Sequence, residues 1–171
     1  MFFTQNEINH VPPQEGNTQK TPPKRTFNLC FVGCNMNPAK NVFAIVLAAG
    51  KSKRLGRPKA LLKCGEKTLI KFIVDKLESI NLNVVVITNL ELEKLIAKSL
   101  KSNNTKIIVP KNTEYRTGNL IAGLNVIKNP EKILVVPIDR PGWSLDTLKH
   151  LLKMNVTCCP EFQGKGGHPL L

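Results

Sequence analysis

The chain has 171 residues, 42% hydrophobic and 22% charged, the proportions of a soluble globular protein with one domain and a sizeable core. No apolar run approaches the roughly 20 residues of a membrane-crossing helix, and the cysteines Cys30, Cys34, Cys64, Cys158 and Cys159 form no zinc pattern, reading instead as reduced thiols of a cytoplasmic protein. The formal net charge of +13 attracts polyanions, but one Trp, one Tyr and lysines scattered along helical stretches supply no stacking platform for specific nucleic-acid binding.

Residues 1–40 are rich in Asn, Gln, Thr and Pro, with Pro12-Pro13 and Pro22-Pro23 breaking regular structure, and read as a mostly disordered leader with at most a short strand at Phe27 to Val32. The folded domain is expected over residues 41–171. Val42 to Leu47 is a continuous apolar run, as a parallel strand buried on both faces requires, and it stops at Ala48, Ala49 and Gly50, where side chains almost vanish. Gly50 permits positive φ, so successive amides from Ala48 to Lys51 can point into one concavity, while Arg54 and Lys59 bring positive charge to the same place. Taken alone, Gly50 is an ordinary turn glycine. Strand, small-residue loop and basic turn together describe a phosphate cradle, with the spacing of neither a Walker A loop nor a G-x-G-x-x-G dinucleotide loop.

Thr68 to Ile80 has helical spacing with Thr68 as N-cap, Asn83 to Asn89 is a second buried strand, and Leu90 to Leu100 a second amphipathic helix. Lys106 to Pro110 reads as a third strand, Asn119 to Ile127 as a third helix, Lys132 to Asp139 as a fourth strand and Ser144 to Met154 as a fourth helix. Strands alternating with helices imply an α/β fold, a three-layer α/β/α sandwich around a mostly parallel sheet. Ligands of such sheets lie beyond the carboxyl ends of the strands, here Ala48 to Gly50, Asn89, Pro110 to Asn112 and Asp139.

The stretch from Leu47 to Lys59, LAAGKSKRLGRPK, resembles the signature of the MobA-like nucleotidyltransferases at each of its fixed positions. The short interval from Arg54 to Lys59 is similar to the molybdopterin branch of that family, and Pro58 before Lys59 to its cytidylyltransferase side. The resemblance extends over the last three quarters of the chain and implies a Rossmann-like sheet of the nucleotide-diphospho-sugar transferase type. It also implies a nucleotide site at Leu47, Ala48, Ala49, Gly50, Lys51, Arg54, Lys59, Asn89, Gly118 and Asn119, with Arg54, Lys59 and Asp139 carrying the chemistry. Asp139-Arg140-Pro141 resembles the family's D-x-P, whose aspartate holds Mg²⁺; read alone, Asp139 is equally a turn or capping residue before Pro141 and Gly142.

Arg116 to Leu124 is similar to a family stretch that carries central serines, replaced here by Gly118 and Asn119; Asn119 reads equally as a base or ribose contact and as a helix cap. Asn89 is likewise a nucleotide contact or a turn residue. Cys159 to Leu171 resembles the family's Gly-rich hairpin and G-H-P strand, where His168 is either an acceptor contact or a structural donor. The family normally continues beyond this point. The resemblance implies transfer of a nucleoside monophosphate from CTP or GTP to a phosphorylated acceptor such as molybdopterin, with a molybdoenzyme or its maturation chaperone as a further partner. Two other readings accompany it: a nucleotide-binding protein with impaired catalysis, and transfer to a different phosphorylated small molecule.

Overall fold

The computed structural model describes residues 41–171 apart from 51, 102–104, 112–114 and 163–164. The expected leader, Lys51 and Asn112 lie outside the described residues. Four parallel strands form the central sheet in the order β5 (Thr105–Ile108), β4 (Asn83–Ile87), β1 (Val42–Leu47), β6 (Lys132–Pro137). β1 is the pivot, because chain order runs outward from it through β4 to β5 and then returns to its other side as β6. The resulting reversal of strand order between β1 and β6 opens a crevice at the carboxyl ends of the strands.

Alternation along β1 divides the core. Val42, Ala44 and Val46 join a large buried cluster with Ile70, Ile73 and Leu77 of α1 (Leu69–Glu78), Leu92 and Ile96 of α2 (Leu90–Leu100), and Leu148 of α4 (Leu145–Lys153). On the opposite face, Ile45 joins Val85, Ile87 and Ile127 under α3 (Arg116–Leu124). The layers are therefore α/β/α, as expected, but unequal. α3 approaches the sheet closely at Gly123, where a Cβ would stand 3.1 Å from Ile45 Cγ2 and 3.2 Å from Ile87 Cδ1.

Capping follows local chemistry. Thr68, Asn89 and Ser144 accept hydrogen bonds from backbone amides to start α1, α2 and α4. The third helix differs from its sequence reading. It begins at Arg116 and ends at Leu124, three residues ahead of the expected span, after Tyr115, whose side chain makes no capping hydrogen bond. Gly118 and Asn119 therefore lie in its first turn, and the capping role considered for Asn119 is excluded.

A two-residue ribbon, β2 (Lys63–Cys64) with β3 (Lys67–Thr68), precedes α1, and a second hairpin, β7 (Glu161–Phe162) with β8 (Lys165–Gly166), leads into the final segment. There Leu170 bridges Val135 in antiparallel sense, adding to the outer edge of β6. Among the described residues no helix is long and apolar enough to cross a membrane.

Lys67 and Lys71 each place Nζ 2.6 Å from Asp75, tying the ribbon to α1. Burial pushes the Asp75 carboxyl up, but hydrogen bonds and charge from both lysines outweigh it and hold the carboxyl below its ordinary value. Such a group contributes fully above its unfolded pKa of about 3.9, and the contribution is lost as pH falls through the lower folded value. Urea midpoints measured from about pH 6 to about pH 2 are expected to fall more steeply for wild type than for Asp75→Asn. Gly123→Val should cost about 1 to 3 kcal/mol by overpacking α3 against the sheet, read in the same unfolding assay.

Candidate functional site

β1 delivers its loop to the crevice with the backbone leading. The Ala48 amide donates to the Ile87 carbonyl at 2.8 Å and the Leu47 carbonyl accepts from Ile138 at 3.1 Å, so the sheet grips the chain one residue beyond the strand on each side. With the Ala48 position held in this way, the amides that remain to meet a ligand begin at Ala49 and Gly50. A Cβ built on Gly50 would meet nothing within 4 Å, so the backbone there faces open space.

The expected positive φ is not at Gly50 but two residues on, at Ser52, with φ 47°, and again at Gly56, with φ 67°. Ser52 was not singled out from sequence, yet it closes the loop. Its Oγ accepts the Lys59 amide at 3.2 Å, and its carbonyl accepts the Leu55 amide at 2.9 Å. Only its position between the glycine and the basic turn signalled this role. Arg54 is exposed on the short 3₁₀ turn Lys53–Leu55, and Lys59 opens a second such turn, Lys59–Leu61, whose Ala60 is buried in the main core.

Lys59 Nζ stands 3.7 Å from Asp139 Oδ2, joining the loop after β1 to the segment after β6. Residues 80 positions apart in sequence thus meet across the strand-order reversal. The side chains are 40% and 35% exposed, so the pair is open to a ligand and adds little to stability by itself. Asp139 is not a helix cap, since Ser144 starts α4.

Asp139 presents hard carboxylate oxygens at the crevice, and no group of three or more His, Cys, Asp or Glu able to hold a metal occurs among the described residues. That donor set fits Mg²⁺, which binds through one or two carboxylates while phosphates and water fill its other positions.

Asn89 is drawn into the loop by structure. Its Oδ1 caps α2 through the Leu92 amide at 3.0 Å, while its Nδ2 donates to the Ala49 carbonyl at 3.2 Å. It fixes the cradle from behind. Leu47 packs its half-buried side chain into the smaller core cluster. Gly118 and Asn119 are half-buried in the first turn of α3, with the Asn119 amide bonded to the Tyr115 carbonyl at 3.2 Å. His168 is exposed, and the antiparallel run of its segment places it nearer than Leu170 to the carboxyl end of β6.

A cavity of about 540 Å³ lies at the other end of β6, lined by Glu131, Lys132, Met154, Val156 and Leu171 among others. Lys132 Nζ is committed there to the Leu152 and Met154 carbonyls at the end of α4, a structural task.

Residues 44–171 match the MobA-like NTP transferase domain family. The chain is 28% identical over 112 residues to a probable molybdenum cofactor guanylyltransferase of Bacillus cytotoxicus, covering 66% of this chain and 56% of that protein. It is 30% identical over 115 residues to another of the same description from Natranaerobius thermophilus, covering 66% and 54%. The chain thus spans about half the length of these curated relatives. The fold is similar to the crystal structure of Rv0371c from Mycobacterium tuberculosis H37Rv, with a TM-score of 0.65 at 21% identity, covering 77% of this chain and 70% of that one.

Asn89→Ala removes both the cap and the tether to Ala49 and should lower unfolding free energy by about 1 to 2 kcal/mol. Asn89→Asp keeps the cap but loses the donor, and is expected to recover only part of that loss in urea titrations.

Proposed function

Because the chain belongs to the MobA-like NTP transferase family, we propose that it transfers a nucleoside monophosphate from a nucleoside triphosphate to molybdopterin, with release of pyrophosphate. The observation that carries this reading is the Lys59–Asp139 pair, which brings a cation and a carboxylate to the open backbone after β1. An acceptor phosphate oxygen attacks the α-phosphorus; the new P–O bond forms as the bond to the β-phosphate breaks, and pyrophosphate leaves. Such a transfer asks the protein for position and charge more than for covalent chemistry.

Each part of the loop has a task in that step. The amides of Ala49 and Gly50 bind phosphate oxygens, and Ser52 and Asn89 keep that backbone from moving away. Lys59 and Arg54 neutralise charge that builds on the α-phosphate and the departing pyrophosphate. Asp139 aims Lys59 at the crevice and is the residue that would hold Mg²⁺. When bound, Mg²⁺ supplies charge neutralisation on the triphosphate oxygens. His168, toward the carboxyl end of β6, is assigned to the acceptor side, and Gly118 and Asn119 to the nucleotide side. The relatives' names favour GTP as donor, whereas Pro58 favours CTP.

Purified protein supplied with Mg²⁺, molybdopterin and CTP, GTP, ATP or UTP in turn should release pyrophosphate with CTP or GTP alone. Nucleotide-dependent thermal shifts without release would replace transfer by binding, and absence of both signals would overturn the reading. Lys59→Ala and Asp139→Ala are each expected to lower turnover on the order of a hundredfold, the loss of about 3 kcal/mol of transition-state stabilisation.

A further inference from the structure

Lys76, in the last turn of α1, reaches the segment that carries Asp139 without touching Asp139 itself. Its Nζ donates to the Trp143 carbonyl at 2.5 Å and lies 4.4 Å from the centre of the Trp143 ring and 5.3 Å from that of Phe72. Trp143 is only 5% exposed and packs in the main core. Its indole N–H is buried with no hydrogen-bond partner among the described residues, so orientation of the ring rests on packing and on the ammonium above it. One cation therefore grips both the backbone and the side chain of a single residue.

The consequence lies four residues upstream. The Arg140 amide bonds to the Pro137 carbonyl at 3.2 Å, which turns the chain at the end of β6, and Ser144 starts α4. Between those points run Pro141 and Gly142, and Gly142 has nothing within 4 Å of its Cβ position to hold it. The Trp143 anchor thus fixes the far end of the segment on which Asp139 stands. Lys59 is mounted on the same helix by other means. The Leu69 amide at the start of α1 donates to the Leu62 carbonyl at 2.7 Å, and Ala60 packs into the core beside Ile70 and Ile73. α1 accordingly carries both halves of the Lys59–Asp139 pair.

We infer that Lys76 is a positioning residue that, by clamping Trp143 to α1, holds Asp139 in register with Lys59; this rests on the nucleotidyltransferase reading above. Its removal should disturb the carboxylate more than the nucleotide loop, which is fixed separately by Ser52 and Asn89. Lys76→Met keeps the aliphatic stem against both rings and deletes the charge and the donor; Lys76→Arg keeps both.

The test compares wild type, Lys76→Met and Lys76→Arg for pyrophosphate release, for the Mg²⁺ concentration giving half-maximal rate, for nucleotide KM and for emission of Trp143, the only tryptophan in the chain. Lys76→Met is expected to shift Trp143 emission, to lower kcat about tenfold and to raise the Mg²⁺ requirement severalfold with little change in nucleotide KM, while Lys76→Arg restores about a third or more of wild-type kcat. A Lys76→Met protein with altered Trp143 emission but wild-type kcat and Mg²⁺ requirement overturns the inference and leaves the nucleotidyltransferase reading standing. So does a Lys76→Arg protein as impaired as Lys76→Met. Wild type that neither binds nucleotide nor releases pyrophosphate overturns both. If Lys76→Met does not fold, Lys76→Gln, which keeps a donor without the charge, takes its place under the same criteria.

Discussion

β1 is hydrogen-bonded along both edges, from Phe43 opposite Asn83 to Leu47 opposite Ile87 on one side and from Val42 opposite Lys132 to Leu47 opposite Pro137 on the other. A strand so enclosed has no room for polar side chains, and once it leaves the sheet its backbone amides are what it can offer a ligand. The neighbouring strands hold it slightly past its own end, through Ile87 and Ile138, so the loop emerges from a fixed point. Ser52, Asn89 and Lys59 then act on a chain whose origin is already set. Without the double pairing of β1, the small residues after it would be an ordinary turn.

The sheet's two faces are unequal in how they secure the crevice. α1, α2 and α4 share one core with the even-numbered side chains of β1, whereas among the described residues α3 alone covers the other, where Gly123 lets it approach Ile45 and Ile87 closely. Residues proposed to work on charge, Lys59 and Asp139, are braced from the heavier side. Those assigned to the nucleotide, Gly118 and Asn119, lie in the first turn of α3 on the lighter side. The braced residues stand on elements of the larger core, and α3 rests on the smaller cluster through the close approach at Gly123 and the packing of Leu120.

Much of this was legible in the residues. Continuous apolar runs identified the four long strands, and Thr68 and Ser144 stood at helix starts with hydroxyls that such a start rewards, whereas Asn89, read as a nucleotide contact or turn residue, proves to cap α2. The third helix misled because Gly118 and Asn119 look like residues that precede a helix, while Tyr115, which does precede it, lacks a capping oxygen at the right reach. The ribbon at Lys63 to Thr68 was too short to show any period. Its turn at Gly65, with φ 63°, carries the only local mark. The meeting of Lys59 with Asp139 depends on strand order, which no local pattern encodes. The work of Asn89 on the Ala49 carbonyl was hidden for the same reason, since sequence marked the residue but not the strand-to-loop contact it would make.

The Lys59–Asp139 pair also shapes what the crevice looks like from a distance. Paired at 3.7 Å, the two groups nearly cancel beyond their own neighbourhood, so among the described residues exposed Arg54, Arg57 and Arg140 contribute more than this pair to the field reaching into solvent. Under the proposed reading, a nucleoside triphosphate is drawn by those arginines over a range of about 8 Å at physiological ionic strength, and meets the lysine and the aspartate only on arrival. Encounter then falls to the arginines, of which Arg54 also serves the transfer, and close-range work to the Lys59–Asp139 pair. Added salt slows the first by screening the arginines while leaving the close-range contacts of the second largely intact.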